Sequence, residues 1–419
     1  MRVLDKPDEH GIYPLKTAMS VKADYSIRGN IALVDADLLD NGTRHPNLVV
    51  MKLSAYFKEN GCNVRLIESY DELYFMGCYE SVKEYDAVFI SKVFDFTKID
   101  EHLLEFDNVF FGGTGFFFDH APNLPYEIEH HMPDYHVYDE FIAHDTKHQK
   151  QKTYWQDYQD YSIGFATRGC FRQCDFCVNH NKKRVEFHSH IDEWLDPDRK
   201  GIYLWDDNIF GSPCWREVFT ELEATGKPYK FRQGMDLRLM TVERAKMLDR
   251  SHYLGDFVFA FDHLDEAPII EKKLKLWRTY TDRPTKLYVL AGFESQDEHE
   301  IESVFKRIEI LLRYGCLPYI MRHERYLDSP YKGMFIQITR WCNQPQFLKK
   351  LSFRQYVEQC QKYHKTEGTL CAPMRAMTEF EEKFPEIAKR YFDMEYLKQP
   401  YVIEMKKRIS VKRNSREKK

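Results

Sequence analysis

The stretch that most constrains this chain is Ser162–Val178, SIGFATRGCFRQCDFCV. An alternating, β-prone run (Ile163, Phe165, Thr167) ends at Arg168-Gly169, and three cysteines follow at Cys170, Cys174 and Cys177. The spacing is C-x3-C-x2-C, with an aromatic residue, Phe176, directly before the last thiol. Iron–sulfur clusters are normally held by four cysteines. Three thiolates packed this closely can hold three irons of a cubane and leave the fourth without a protein ligand. The other reading of the same thiols is a structural zinc clip, with His180 or His188 completing a Cys3His set. Zinc knuckles favour paired CxxC elements, and neither the preceding strand nor Phe176 belongs to that pattern.

Cys170, Cys174, Phe176 and Cys177 match position for position the CxxxCxΦC signature, with Φ aromatic, of the radical SAM superfamily, which this stretch resembles. The resemblance implies a [4Fe-4S] cluster on the three cysteines. It also implies S-adenosylmethionine chelated to the open iron, and one-electron cleavage of its sulfonium to methionine and a 5′-deoxyadenosyl radical. An electron donor such as flavodoxin or ferredoxin would be the partner.

The rest of the composition fits an intracellular enzyme. A chain of 419 residues suggests two or three domains. With 43% hydrophobic and 30% charged residues it can build real cores in water. A net charge of −5 leaves no global nucleic-acid footprint, so a nucleic-acid partner is not indicated by charge. The opening MRVLDKPDEHGIYPLK lacks the apolar core of a signal peptide, and no run is long enough to cross a membrane. Ten cysteines without a secretory signal read as reduced thiols, so the expected location is the cytoplasm.

In chain order, residues 1–29 read as an irregular arm packed on a later domain. An α/β rhythm begins at Asn30: strands near 31–35, 63–68, 86–91 and 108–111, and a helix from Asn47 to Asn60 with Gly61 as its stop. Near-continuous apolar strands alternating with helices indicate a doubly wound parallel sheet, here residues 30–145. This domain resembles the cobalamin-binding-type domain that precedes the cysteine loop in one radical SAM subgroup. The resemblance makes Asp35, Gly112 and Gly113 cofactor-binding candidates, because ligands bind outside the carboxyl ends of such strands. The subgroup's DxHxxG histidine is missing, since Asp35-Ala36-Asp37 puts aspartate in its place and His45 does not fit the spacing. Bound cobalamin is therefore left open, and the glycines read equally as a tight turn needing positive φ.

A connector (146–160) leads to residues 161–345, where β then α recurs six times. Strands are expected near 162–167, 201–206, 229–234, 256–261, 286–292 and 316–322. This matches the partial (β/α)6 TIM-like barrel of the radical SAM core, with chemistry at the C-terminal strand ends. After it, Met334–Thr339 reads as a strand. A helical region (346–404) has helices near 352–364 and 375–397, and a basic tail (405–419) has eight Lys/Arg against one acid from Lys406 on. The tail reads as a solvated, disordered end. Cys214 and Cys316 read as buried thiols.

The strand ends supply the remaining candidates. By position and chemistry, the resemblance places Asp206, Asp207 and Asn208 around the methionine moiety of S-adenosylmethionine, and Gly292 near its adenine. Arg232, Gln233, Asp236, Asp262 and Arg322 would face the substrate. Any one of these charged ends taken alone reads equally as an ion pair closing a barrel rim. Five together point to a ligand, because desolvated charges without one are costly. The expected function is reductive cleavage of S-adenosylmethionine with a radical acting on an unidentified substrate, including methylation if cobalamin is bound. The alternatives are a methylthiotransferase-like RNA modification and a non-catalytic zinc or iron–sulfur protein.

Overall fold

The computed structural model describes residues 1–74, 78, 80–151, 153–179, 182–366 and 368–416. His180, one of the two imidazoles considered for a zinc clip, lies outside the described residues, as does the end of the tail, 417–419. The chain divides into two compact units: Met1–Asp207 with Ser212–Lys230, and Asn208–Gly211 with Phe231–Lys419. Among the described residues no helix is long and apolar enough to cross a membrane.

The first unit opens with a four-stranded sheet of β1 (Asn30–Asp35), β2 (Asn63–Leu66), β3 (Ala87–Ser91) and β4 (Val109–Gly112) in the order β2-β1-β3-β4. Every pairing is parallel. Alternate residues of a strand point to opposite faces, and here both faces are buried. Ala32, Val34, Val88, Ile90, Val109 and Phe111 lie in one core. Ile31, Leu33, Ala87, Phe89 and Phe110 lie in another. The N-terminal arm contributes Tyr13, Ala18 and Val21 to the first core, and it is not wholly irregular: Leu15–Ser20 is helical. The helix Leu48–Glu59 starts where Asn47 accepts from the Val49 and Val50 amides, and Gly61 follows its end at φ +77°. Order 2-1-3-4 puts the reversal of direction between β1 and β3, so the crevice for a ligand would open beside Asp35 and Ser91.

The six later strands all form: β5 (Tyr161–Gly164), β8 (Gly201–Leu204), β9 (Tyr229–Phe231), β10 (Phe257–Ala260), β11 (Thr285–Ala291) and β12 (Leu317–Arg322). They build two three-stranded sheets, β5-β8-β9 and β10-β11-β12. A two-residue hairpin ladder, β6 (Thr167–Arg168) with β7 (Glu186–Phe187), leaves the end of β5.

In the second unit the helix Glu298–Arg313 starts at Asp297, which caps it, and buries Ile301, Val304, Phe305, Ile308, Leu311 and Leu312, the stripe legible in the sequence. Three later expectations are corrected. Met334–Thr339 is not a strand but the middle of a helix, Lys332–Cys342. Its buried Met334, Phe335, Ile338, Trp341 and Cys342 repeat with helical period, which a six-residue window cannot show. The helix expected over 375–397 is two, Ala372–Lys383 and Pro385–Tyr391, because Pro385 has no amide to continue the first and starts the second. The basic tail continues a helix, Pro400–Arg416. Cys316 is buried, but Cys214 is only partly so.

Gly164, the last residue of β5, has no room for a side chain: a Cβ there would lie 2.3 Å from the Trp194 ring. Gly164→Ala should therefore cost about 1–3 kcal/mol by overpacking, read as a lowered midpoint in chemical denaturation.

Candidate functional site

The three cysteines follow Gly169 in the hairpin loop whose neck is the β6–β7 ladder. Gly169 opens the loop at φ +91°, and a Cβ there would sit 2.6 Å from the Arg184 carbonyl oxygen. The two sides of the neck thus approach so closely that only glycine fits. Between the first two cysteines Gln173 takes φ +53°, which turns the chain back on itself. The Cys177 amide donates to the Cys174 carbonyl at 3.0 Å. The Arg172 and Asn179 amides lie 3.5 Å from the Cys170 and Cys177 sulfurs. All three thiols are partly exposed. Burial, followed by the nearby Asp207 and Cys170, pushes the Cys177 thiol up, opposed by the Asn179 amide.

Two consecutive carboxylates at the end of β8 hold this loop. Asp206 is 2% exposed and accepts from the Thr167 amide and hydroxyl, both at 2.6 Å, and from the Ala166 amide at 3.2 Å. Burial pushes its carboxyl up to about 7, and the bonds from Thr167 and Ala166 oppose that. Asp207 accepts from the Gly169 amide and from the Asn179 side chain, both at 2.7 Å, so it grips the chain before the first cysteine and after the last. Asp206, expected beside S-adenosylmethionine, instead braces the neck with both oxygens. Asn179 and Thr167 were not singled out from the sequence; their flanking of the cysteine run was the available signal.

A second set missed by sequence reading stands behind the neck. Glu129 accepts from Lys52, Arg168 and His188 at 3.1, 2.9 and 3.0 Å, all on one oxygen. Burial alone would raise this carboxyl, yet the His188 bond and the Lys52 and Arg168 charges lower it to about 2. His188 is thereby engaged with a carboxylate. The ligand atoms that do converge within 4.8 Å among the described residues are those of Glu68, Glu140 and His144, on the surface. These three belong to ordinary ion-pair chemistry, with His144 Nδ1 lying 2.8 Å from Glu68.

The carboxyl ends of β1, β3 and β4 do not fit cobalamin. Asp35 is buried, caps the next helix through the Leu38 amide at 3.1 Å and accepts from the Tyr138 hydroxyl at 2.8 Å. Asp37, in the histidine's place, accepts from the Val93 and Phe94 amides and the Thr97 hydroxyl at 2.7, 3.2 and 2.5 Å. The Asn47 side chain donates to the Ser91 hydroxyl at 2.9 Å. Gly113, at φ +110°, is needed because a Cβ would lie 2.2 Å from the Lys92 carbonyl oxygen, while Gly112 faces open space. His45 pairs with Asp157 at 2.7 Å. Asp35 and Gly113 thus have structural occupations, and no step is derived through cobalamin.

The other predicted residues belong to the second unit. Asn208 is buried, and its carbonyl accepts from the Gly211 amide at 2.9 Å. Gly292, at φ +77°, is explained by Tyr326, whose Cβ would be 2.4 Å from an added Cβ. Glu300 fixes the same turn by accepting from the Gly292, Phe293 and Gln296 amides at 2.6, 2.9 and 3.0 Å. Asp236 is buried and holds Arg238 at 2.7 Å, and Arg238 also pairs with Glu266, so this strand end is a rim ion pair. Desolvation pushes Asp262 up to about 6, opposed by the buried Arg307, which donates to the Asp262 carbonyl. Arg322 is exposed, with its guanidinium 4.5 Å from the Tyr326 ring centre. Arg232 is half-buried and Gln233 exposed.

Asp35 gives a pH prediction. Burial, with the Asp37 charge adding and the Tyr138 bond opposing, raises its carboxyl to about 7, against about 3.9 unfolded. The native state then holds the proton more tightly than the unfolded state. Asp35 therefore favours folding at low pH, and that contribution is lost as pH rises from about 4 to about 7. Asp35→Asn should flatten this part of the stability–pH curve, read as denaturation midpoints across that window.

Among solved structures, the chain is similar to the radical S-adenosylmethionine methyltransferase TsrM from Kitasatospora setae with cobalamin and a [4Fe-4S] cluster bound. The identity is 10%, covering 71% of this chain and 75% of that one, with a TM-score of 0.44. The same enzyme with tryptophan substrate and the analogue aza-SAM is similar at 11% identity, covering 70% and 72%, with a TM-score of 0.44. No model of a known protein family matches the chain, and no curated protein does. A likeness at that TM-score carries no inference about this chain.

Proposed function

We propose that the chain is a radical SAM enzyme, in which Cys170, Cys174 and Cys177 hold a [4Fe-4S] cluster. The observation that carries this reading is the cysteine loop itself: three partly exposed thiols at C-x3-C-x2-C spacing with Phe176, in a hairpin loop gripped at both ends by Asp207. The donor set fits such a cluster, with three sulfurs and no fourth cysteine in the loop. When bound, the cluster and S-adenosylmethionine would supply one-electron reductive cleavage to a 5′-deoxyadenosyl radical.

The chain's own residues do the positioning, as is usual where a cofactor carries the hard chemistry. Asp206 locks the neck to the sheet, and Asp207 fixes where the first and last thiols enter and leave. Gly169 lets the neck close. Arg232, Gln233, Asp262 and Arg322 are proposed to face the substrate, whose identity is outside this reading.

The test is anaerobic reconstitution with iron and sulfide, then a chemical reductant and S-adenosylmethionine, with mass spectrometry for 5′-deoxyadenosine. The wild-type chain should form it, and Cys174→Ala should fall to background while staying folded by circular dichroism. A chain that takes up stoichiometric zinc and no iron, and unfolds as Cys174→Ala, would instead be a zinc clip. A second prediction concerns the grip: Asp207→Ala should speed amide exchange at Gly169 and lower iron content, while leaving exchange in β1 and β3 unchanged.

A further inference from the structure

We propose that Glu129 is a positioning residue that sets the electrostatic potential at the cysteine loop, and through it how readily a cluster held there accepts an electron. This rests on the radical SAM reading above. One oxygen of Glu129 receives Arg168 from β6, two residues before Cys170, and His188, just after β7. It therefore touches both strands of the loop's neck. The same oxygen takes the Lys52 ammonium, which also donates to the Glu129 backbone carbonyl. Next to it, His130 Nδ1 lies 2.7 Å from Glu193, and the His130 ring lies 5.0 Å from that of His188. His131 lines the same small cleft and is tied to Glu59.

Two cations, Lys52 and Arg168, meet two carboxylates, Glu129 and Glu193, here. The Lys52 and Glu129 side chains at the centre of this group are 7% and 17% exposed, and those of Arg168 and Glu193 at its edge 46% and 31%. Charges that are partly buried are screened little by salt. A cluster's reduction potential follows the net charge and hydrogen bonding around it. Reduction adds one electron, supplied by a low-potential one-electron donor, and makes or breaks no bond at Glu129. Removing the Glu129 charge leaves one positive charge in excess near the loop, which favours the reduced cluster. Removing the Lys52 charge leaves one negative charge in excess and favours the oxidised cluster.

The experiment is a redox titration of the anaerobically reconstituted full chain, followed by electron paramagnetic resonance. Glu129→Gln should shift the midpoint potential upward, and Lys52→Gln should shift it downward. The double variant should return it to the wild-type value. Loss of a merely structural contact would move both single variants the same way and the double variant further. That pattern, or unmoved potentials at equal iron content, overturns the inference alone. If Glu129→Gln takes up no cluster, Lys52→Gln still decides, because it leaves Arg168 and His188 on Glu129: a downward shift supports the inference, and no shift overturns it. A wild-type chain that binds no iron overturns the radical SAM reading and this inference together.

Discussion

The arrangement around the cysteines depends on two adjacent carboxylates. Asp206 and Asp207, consecutive residues just past the end of β8, reach different targets from nearly one backbone position. Asp206 takes the neck and Asp207 takes the loop. Hydrogen bonds to a charged acceptor such as Asp207 each contribute roughly 1.5–3 kcal/mol, whereas burial holds back the ionisation of Asp206, as its raised carboxyl records. The hairpin has only a two-residue ladder of its own. The two carboxylates add to the Cys177–Cys174 backbone bond and to the hold of Glu129 on Arg168 and His188.

The sequence made the strands and the long amphipathic helix legible because their signal is periodic burial, which the structure repeats at Ile301 through Leu312. It made the cysteine loop legible because spacing in the chain and spacing in space nearly coincide over eight residues. It could not show Glu129. That residue lies 39 positions from Arg168 and 59 from His188, and it stands in a Pro-, His- and Tyr-rich connecting stretch with no period. Lys52 was hidden differently: it is a charged residue among the mostly apolar buried residues of its helix. Asp236 was legible as a charged strand end, but the choice between ligand and ion pair depends on where Arg238 and Glu266 fall.

The first domain shows how a parallel sheet of ligand-binding topology can tie its strand ends together with its own side chains. Asp35, Asn47, Ser91 and Tyr138 join one another there, while Asp37 holds the turn after β3. The groups named here each find a partner inside the domain, as buried polar groups require, whereas the buried Tyr70 hydroxyl, near Asp35 and Asp37, finds none among the described residues. With both faces of the sheet packed, the domain has a core on either side and a capped upper edge.

The turn after β11 bears on ligand choice in the second unit. Successive backbone amides in such a turn make a concave nest that attracts anions. Here Glu300 already fills that role, taking the amides of Gly292, Phe293 and Gln296, while the Gln296 side chain holds the Gly292 carbonyl. The chain has supplied its own anion. A phosphate or carboxylate arriving at this turn finds the Gly292, Phe293 and Gln296 amides already taken by Glu300.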